Sequence, residues 1–170
     1  MIKRELYMSR IRPFIGGELI KVMTGIRRSG KSVMLDLIKE ELVESGIDSA
    51  QFISINFEDM RYAYLCNAQV LHEEILHRAE TIQGKVYLFF DEIQEVKDWE
   101  KCINSLRVAL DCDIYITGSN AKLLSGELAT LLAGRYVEIR VYPLDFKEYL
   151  KFAETNEGEA GLTRQEHFAN

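Results

Sequence analysis

One segment of eight residues limits the folds open to this chain more than any other. Residues 25–32 read G-I-R-R-S-G-K-S, which fits the phosphate-binding pattern G-x-x-x-x-G-K-[ST] at every defined position. An apolar run at Leu19–Met23 precedes this segment, and a helical pattern over residues 33–43 follows it. A glycine loop between a strand and a helix turns backbone N–H groups towards one anion, and the positive end of the helix adds to their field. The sequence therefore predicts a phosphate-binding loop rather than an ordinary glycine turn.

The residues of this loop have separate chemical roles. Gly25 and Gly30 allow the tight backbone path. Lys31 is expected to reach the β- and γ-phosphates of a nucleotide, and the Ser32 hydroxyl to coordinate Mg²⁺. The two arginines of the loop either contact phosphate or pair with acids across the domain. We expect nine consecutive residues to bind the nucleotide: Gly25, Ile26, Arg27, Arg28, Ser29, Gly30, Lys31, Ser32 and Val33.

Length and composition suit one cytoplasmic domain. A chain of 170 residues with 47% hydrophobic and 28% charged residues can bury a full core. No apolar stretch approaches the length of a membrane span, and the first residues lack the apolar segment of a secretion signal. Cys66, Cys102 and Cys112 form no C-x-x-C pair, so we expect reduced thiols without a metal or redox role.

Charge is distributed unevenly along the chain. The net charge is −6, yet within residues 1–32 eight basic side chains accompany only two acidic ones. A basic segment suits a polyphosphate ligand. The alternative is that Lys3, Arg4, Arg10 and Arg12 are merely solvated. Duplex DNA usually requires a larger basic surface, so charge alone does not imply a nucleic-acid partner.

Apolar runs alternate with helical patterns along the chain. This alternation predicts an α/β fold with a parallel sheet covered by helices on both faces. In such sheets ligands bind at the carboxyl ends of the strands, so the site residues should lie there. Strands are predicted at Leu19–Met23, Gln51–Phe57, Lys85–Phe90, Asp113–Thr117 and Tyr136–Val141; helices are predicted at Ser32–Ser45, after the N-cap Asn67 and after Asp98.

Two acids follow the most apolar strand. Asp91 is expected to hold Mg²⁺ opposite Ser32, and Glu92 to act as the general base that polarises the attacking water. The alternative is an acidic pair that merely begins the next loop. A phosphate-binding loop upstream favours the catalytic interpretation.

The next strand ends in small polar residues, T-G-S-N at positions 117–120. A polar side chain here would bond both the water and the γ-phosphate. Asn120 is the first candidate, ahead of Thr117 and Ser119. Equally, Ser119 or Asn120 could cap the helix that passes through Leu123 and Leu124.

Arg135 precedes the last predicted strand. It is a candidate arginine finger, delivered to a neighbouring subunit, and its alternative is a surface salt bridge. For Glu58 and Asp59, at the end of the second strand, capping or surface roles are favoured. The predicted catalytic residues are thus Lys31, Glu92, Asn120 and Arg135, and the predicted metal ligands are Ser32 and Asp91.

The signatures of other phosphate-loop proteins are missing. Guanine recognition needs Asn-Lys-x-Asp, but Asn120 is followed by Ala-Lys-Leu. The Leu-Ser-Gly-Glu sequence at 124–127 lacks the second glycine of the transporter ATPases and lies after the acidic strand. The ordered set of G-I-R-R-S-G-K-S, F-F-D-E-I-Q, T-G-S-N and G-R-Y-V-E-I-R-V-Y-P-L instead resembles the AAA+ ATPases.

More narrowly, residues 1–152 resemble the predicted prokaryotic AAA+ ATPases that join this module to a C-terminal domain of unknown function. The resemblance implies a three-layer P-loop fold with about five strands in the order 5-1-4-3-2, and ATP with Mg²⁺ as ligands. Resemblance to related domains also makes Tyr7 and Ile11 candidates for the lining of the adenine pocket. The arginine-finger interpretation of Arg135 would require a homo-oligomer in which this residue acts in trans.

The chain departs from that family after Tyr149. AAA+ proteins usually add a helical lid, but residues 153–170 are polar and begin a helix with the capping box T-R-Q-E at 163–166. We therefore expect an ATPase core at 1–152, followed by a linker and the start of a truncated C-terminal region.

Three functions remain open at this point. The first is an ATPase that couples its nucleotide state to the C-terminal domain or another partner, and that turns over slowly as an isolated fragment. The second is an ATP-binding regulatory switch with negligible hydrolysis. The third, which is weaker, is a small-molecule phosphotransferase.

Overall fold

The computed structural model describes residues 4–119, 123 and 125–143. Within these ranges, strands alternate with α-helices, and short 3₁₀ turns join several of them. In chain order the elements are α1 (Glu5–Ile11), β1 (Ile20–Gly25), α2 (Lys31–Glu44), β2 (Phe52–Asn56), α3 (Ala68–Ala79), β3 (Val86–Asp91), α4 (Trp99–Ala109), β4 (Cys112–Ser119), α5 (Ser125–Leu131) and β5 (Tyr136–Arg140).

The strands form one parallel sheet in the order β2-β3-β4-β1-β5. This is the order 5-1-4-3-2 read from the opposite edge, so the expected topology is confirmed. In the register, Gly25 pairs with Ser119 and Asn56 pairs with Asp91. The loop that follows Gly25 therefore begins at the same edge of the sheet as the ends of β3 and β4.

Side chains of β3 alternate between two hydrophobic cores. Leu88 and Phe90 pack in a core shared with α3, α4 and α5. Tyr87 and Phe89 pack in the other core, with α1 and α2. All six residues of β3 are buried, as expected for a parallel strand covered on both faces. The predicted three-layer α/β architecture is therefore confirmed.

The short helix α1 has no counterpart among the predicted elements. It buries Tyr7, Met8 and Ile11 against the sheet, and its seven residues are too few for periodicity to indicate a helix. Tyr7 and Ile11, the expected adenine-pocket residues, are 4% and 0% exposed. Both side chains thus belong to the core between α1 and the sheet.

The helix ends follow local signals in the sequence. The Asn67 side chain accepts hydrogen bonds from the N–H groups of Gln69 and Val70, which confirms it as the N-cap of α3. Gly46 follows α2 with a φ of 101°, as a C-terminal glycine cap requires. No helix within the described ranges combines the length and the apolar character needed to cross a membrane.

The three strands β1, β3 and β4 extend further into polar sequence than apolar patterning predicts. β4 runs to Ser119, two residues beyond the predicted end at Thr117, and β3 includes Asp91. Backbone pairing with neighbouring strands, rather than side-chain hydrophobicity, decides where a strand ends. The polar residues of the site are consequently held by the sheet itself.

Candidate functional site

The loop between β1 and α2 has the backbone of an anion-binding site. Gly30, the N-cap of α2, has a φ of 98°, and Arg28 has a φ of 63°. At Gly25 a Cβ would lie 2.3 Å from the carbonyl oxygen of Val141, so only glycine fits there. The Ser29 Oγ is buried and has no hydrogen-bond partner among the described residues. The sequence pattern and the observed loop therefore agree in their glycine requirements.

Lys31 lies inside this loop. Its side chain is 4% exposed, and its Nζ donates hydrogen bonds to the carbonyl oxygens of Gly25 at 3.0 Å and Ile26 at 2.9 Å. These acceptors are neutral carbonyls, so neither contact brings a counter-charge to the ammonium. A flexible four-carbon stem allows the ammonium to exchange them for phosphate oxygens.

A chain of hydroxyl and carboxylate groups lies beneath the loop. Ser32 Oγ donates to Asp91 Oδ2 at 2.5 Å, and Thr117 Oγ1 donates to Asp91 Oδ1 at 2.5 Å. The Glu92 N–H in turn donates to Thr117 Oγ1 at 3.0 Å. Hard oxygen donors of this kind are the ligands that Mg²⁺ prefers, so the residues fit the predicted metal. The structure thus brings Ser32 and Asp91 together, and it adds Thr117.

Glu92 leaves the strand in an unusual conformation. Its φ of 56° and ψ of 52° are left-handed, which turns the side chain away from the direction of β3. Its Oε2 accepts a hydrogen bond from Gln94 Nε2 at 2.6 Å, while Gln94 Oε1 is buried without a partner in the described part of the chain. A strained residue at the end of a central strand is typical of a functional site.

A cavity of about 520 Å³ opens beside these groups. It is lined by both loop arginines, Arg27 and Arg28, and by Ser32, Glu58 and Glu92. The guanidinium of Arg27 lies 3.6 Å from the Glu58 carboxylate, in an ion pair exposed to solvent. Of the two alternatives for Arg27, the structure therefore contains the pairing with an acid. The volume is in the range of small-ligand pockets.

The two remaining candidates lie elsewhere. Asn120 falls outside the described residues. Arg135 is exposed at the amino end of β5, where its carbonyl oxygen accepts the N–H of Ile20 at 3.0 Å. Because β1 has six residues, the amino edge of the sheet lies roughly 17 Å from the loop at about 3.3 Å per residue. Arg135 does not contribute to the site of its own chain.

Sequence reasoning missed or underrated three residues near the loop. Thr117 is a weaker candidate than Asn120 by sequence, although it contacts Asp91 and Glu92 directly. Gln94 and Arg4 carry no motif that predicts their contacts. The Arg4 guanidinium donates to the carbonyl oxygen of Ser29 at 2.7 Å, from 25 positions away in sequence. The one relevant signal in the sequence is the basic amino-terminal segment, which suits a polyphosphate ligand.

Comparisons with known proteins agree with this geometry. A family model described as an AAA domain matches residues 18–150. An uncharacterized protein of Haemophilus influenzae is 49% identical over 150 residues, which cover 88% of this chain and 38% of that protein. One from Methanocaldococcus jannaschii is 41% identical over 138 residues, covering 81% of this chain and 29% of that protein. The chain therefore spans less than half the length of these relatives.

Solved structures share the fold at low sequence identity. The Orc1 protein of Aeropyrum pernix, in a complex with DNA, matches with a TM-score of 0.65 and 14% identity, over 94% of this chain and 50% of that one. AMPPCP-bound DnaA of Aquifex aeolicus matches with a TM-score of 0.62 and 16% identity, over 96% of this chain and 54% of that one.

Proposed function

This chain belongs to the AAA domain family, and on that premise we propose that it binds Mg²⁺–ATP and hydrolyses the bond between the β- and γ-phosphates. The observation that carries the proposal is the hydrogen-bonded chain from Ser32 through Asp91 and Thr117 to Glu92, directly beneath the phosphate-binding loop. This arrangement supports Mg²⁺ binding, activation of the attacking water and phosphate binding within one site.

Phosphate binding is assigned to the loop. Backbone N–H groups between Gly25 and Ser32, together with the amino end of α2, supply a positive field at fixed positions. Lys31 adds one full charge, after exchanging its two carbonyl contacts for phosphate oxygens. These groups would hold the triphosphate in place and stabilise the charge that develops on the γ-phosphoryl group.

Ser32 and Asp91 are the residues that would hold Mg²⁺. When bound, the ion would supply positive charge that neutralises phosphate oxygens. Thr117 holds the second oxygen of Asp91, and so it fixes the orientation of the carboxylate.

Glu92 is proposed to accept the proton of the attacking water. It lines the same cavity as Ser32, which is the space that a γ-phosphate and a water would share. The bond from Gln94 to Oε2 holds the carboxylate in one position. ATP is favoured over GTP because the chain lacks the guanine-specific sequence and because a structural neighbour is described with an adenine nucleotide analogue.

The nucleotide state is proposed to be coupled to the conformation of an attached C-terminal domain or of a partner. The curated relatives are much longer than this chain, which supports an ATPase core at residues 1–152 as one part of a longer protein. Arg135 would complete the site of a neighbouring copy, since it lies at the far edge of its own sheet. DNA is a further candidate partner, because one structural neighbour is described in a complex with it.

Calorimetry and phosphate release test the proposal together. We expect Lys31→Ala to abolish Mg²⁺–ATP binding, and Glu92→Gln to retain binding while stopping turnover. Lys101→Ala, an exposed lysine on α4, is the matched control and should change neither. Absence of any heat with well-folded wild-type protein would refute nucleotide binding. Normal turnover by Glu92→Gln would remove Glu92 from the role of base.

An ATP-binding switch with negligible hydrolysis is the second candidate. The position of Arg135 favours it for an isolated chain, because at the amino edge of the sheet Arg135 cannot stabilise a transition state at the loop of its own chain. Specific activity measured against protein concentration separates the two functions. Activity that rises with concentration supports the ATPase, and activity that stays near zero at all concentrations supports the switch.

A further inference from the structure

Arg4 is a buried charge close to the amino terminus. Only 6% of the residue is exposed, and its guanidinium lies over the ring of Tyr7, 4.6 Å from the centroid. One terminal nitrogen donates to the carbonyl oxygen of Ser29 at 2.7 Å, and the other donates to the carbonyl oxygen of Tyr142 at 2.7 Å. The side chain thus connects the phosphate-binding loop with the segment that follows β5.

Residues 141–142, the segment that follows β5, also form hydrogen bonds with α1 and with β1 next to the loop. The Tyr142 N–H donates to the hydroxyl of Tyr7 at 3.0 Å, and the Val141 N–H donates to the carbonyl oxygen of Thr24 at 2.7 Å. A Cβ on Gly25 would collide with the Val141 carbonyl. The loop and residues 141–142 are therefore in direct contact, with Arg4 bonded to both.

The bond to Ser29 acts on the peptide that joins Ser29 to Gly30. In a planar trans peptide, the N–H of Gly30 points opposite to the carbonyl of Ser29. A guanidinium that holds this carbonyl therefore also fixes the direction of the Gly30 N–H, which lies on the opposite side of the peptide. Gly30 has a φ of 98°, which glycine adopts readily, so the residue itself does little to hold this peptide in one orientation. Charge-assisted bonds to carbonyl oxygens are strong enough to hold it.

We propose that Arg4 is a positioning residue for nucleotide binding. It orients the Ser29–Gly30 peptide for the phosphates, and it couples occupancy of the loop to the position of Tyr142, where the chain leaves the sheet. This inference rests on the proposed function, since it names a residue that tunes the same phosphate site. Coupling of this kind is reciprocal: whatever displaces residue 142 also changes the affinity for nucleotide.

The first test compares Arg4→Ala, Arg4→Lys and a control, Arg12→Ala, by calorimetry with Mg²⁺–ATP. Arg12 lies just after α1 and bonds Glu5 and Glu41 in solvent, away from the loop. We expect Arg4→Ala to raise Kd about tenfold or more, the loss typical of a hydrogen bond to a charged group. Arg4→Lys should lie in between, because one ammonium replaces only part of a two-pronged contact. Arg12→Ala should remain within about twofold of wild type.

Kinetics and hydrogen exchange separate positioning from general destabilisation. With Arg4→Ala, we expect KM for ATP to rise while kcat at saturation stays within about threefold, since the contact acts on ground-state and transition-state phosphate alike. In wild-type protein, Mg²⁺–ATP should slow exchange of the Tyr142 amide; in Arg4→Ala at saturating nucleotide it should not. If the role of Arg4 were purely structural, Mg²⁺–ATP would still slow exchange of the Tyr142 amide in Arg4→Ala.

The experiments distinguish failure of the inference about Arg4 from failure of the proposed nucleotide-binding function. If wild-type protein binds Mg²⁺–ATP and folded Arg4→Ala binds it equally well, Arg4 is not a positioning residue. If Arg4→Ala does not fold, Arg4→Lys decides: an unchanged Kd and unchanged Tyr142 protection overturn the inference, and a severalfold weaker Kd supports it. If wild-type protein fails to bind, both proposals are wrong.

Discussion

Asp91 is the residue on which the site depends most, because each of its carboxylate oxygens accepts a hydrogen bond from a hydroxyl group. It is 7% exposed, so little water competes for those positions. Ser32 reaches it from the start of α2 and Thr117 from β4. A buried carboxylate with both oxygens engaged has a fixed orientation, which is what a metal ligand requires.

Thr117→Val tests this arrangement at the level of one hydroxyl. The substitution preserves shape but removes the donor to Asp91 and the acceptor for the Glu92 N–H. We expect a loss of about 1–3 kcal/mol in the free energy of unfolding, and a larger fall in turnover than in ATP affinity. Urea denaturation and steady-state kinetics measure the two effects. Thr130→Val, on the exposed side of α5, is the control; equal effects of both variants would contradict the assignment.

The cysteines provide a second prediction at this scale. Burial raises the pKa of Cys102 to about 12 and that of Cys112 to about 11, and burial also raises the pKa of Cys66. At pH 8 all three are therefore thiols rather than thiolates. We expect iodoacetamide to alkylate the native protein at least about a hundredfold more slowly at Cys102 and Cys112 than the same residues in urea. Rapid native alkylation, read by peptide mass spectrometry, would contradict it.

At the scale of elements, β1 and β4 are joined by a buried ion pair at the edge opposite the loop. Lys21 and Asp113 are both fully buried, and the carboxylate also accepts bonds from the Tyr115 hydroxyl and the Gly16 N–H. Burial lowers the pKa of Lys21, while Asp113 opposes that shift. The network fixes the amino ends of two central strands.

Lys21→Met should therefore be strongly destabilising. It leaves the Asp113 carboxylate buried without its counter-charge, at a cost of about 3–5 kcal/mol in the free energy of unfolding. In the double variant Lys21→Met with Asp113→Asn, the charge is gone and most of that loss should be recovered. Urea denaturation of the single and double variants measures the difference. Additive losses in the double variant would show that the pair is not coupled.

Substitution of Gly25 tests the junction of β1, the loop and β5, and Gly126 on α5 serves as the comparison. Gly25→Ala would place a Cβ 2.3 Å from a backbone carbonyl that cannot rotate away, so we expect lower stability, by about 1–3 kcal/mol, and weaker ATP binding. Gly126→Ala lies on α5, where no heavy atom of the described residues comes within 4 Å of the new Cβ, and it should instead stabilise the helix by about 0.5–1 kcal/mol. Thermal unfolding of both variants tests the opposite signs. A neutral Gly25→Ala would refute the close contact with Val141.

For the whole molecule, the position of Arg135 bears on assembly. It lies at the edge of the sheet opposite its own loop, exposed to solvent. If Arg135 acts at a phosphate site, its position requires that this site belong to a second copy. Assembly would then join two different edges of the module, which is a head-to-tail arrangement.

Mixing two inactive variants tests that arrangement. Lys31→Ala keeps Arg135 but has no working loop, and Arg135→Ala keeps the loop but has no finger. If the finger acts in trans, mixed assemblies contain some complete sites, so ATPase activity should rise above the sum of the separate proteins. Phosphate release across mixing ratios measures this. Activity equal to the sum at every ratio, with assembly shown by light scattering, would contradict it.

The sequence was sufficient for the loop and for the acids of β3. The pattern over residues 25–32 states which backbone positions must be glycine, and a buried strand running into Asp91 and Glu92 fixes their place at its carboxyl end. The parallel sheet and its three layers followed from the alternation of elements, and the strand order followed from the resemblance. These are local properties, or direct consequences of chain order.

Tertiary structure alone decided which side chains meet. Thr117 reaches Asp91 only through the register of β3 against β4, and a shift of one residue would turn it to the other face. Arg4 reaches Tyr142 across 138 positions of sequence. Periodicity and motifs report the conformation of neighbouring residues, whereas a hydrogen bond between distant residues depends on how whole elements pack. The sequence by itself therefore determined which chemical groups the candidate site contains, and the packed fold determined which residues hold those groups in place.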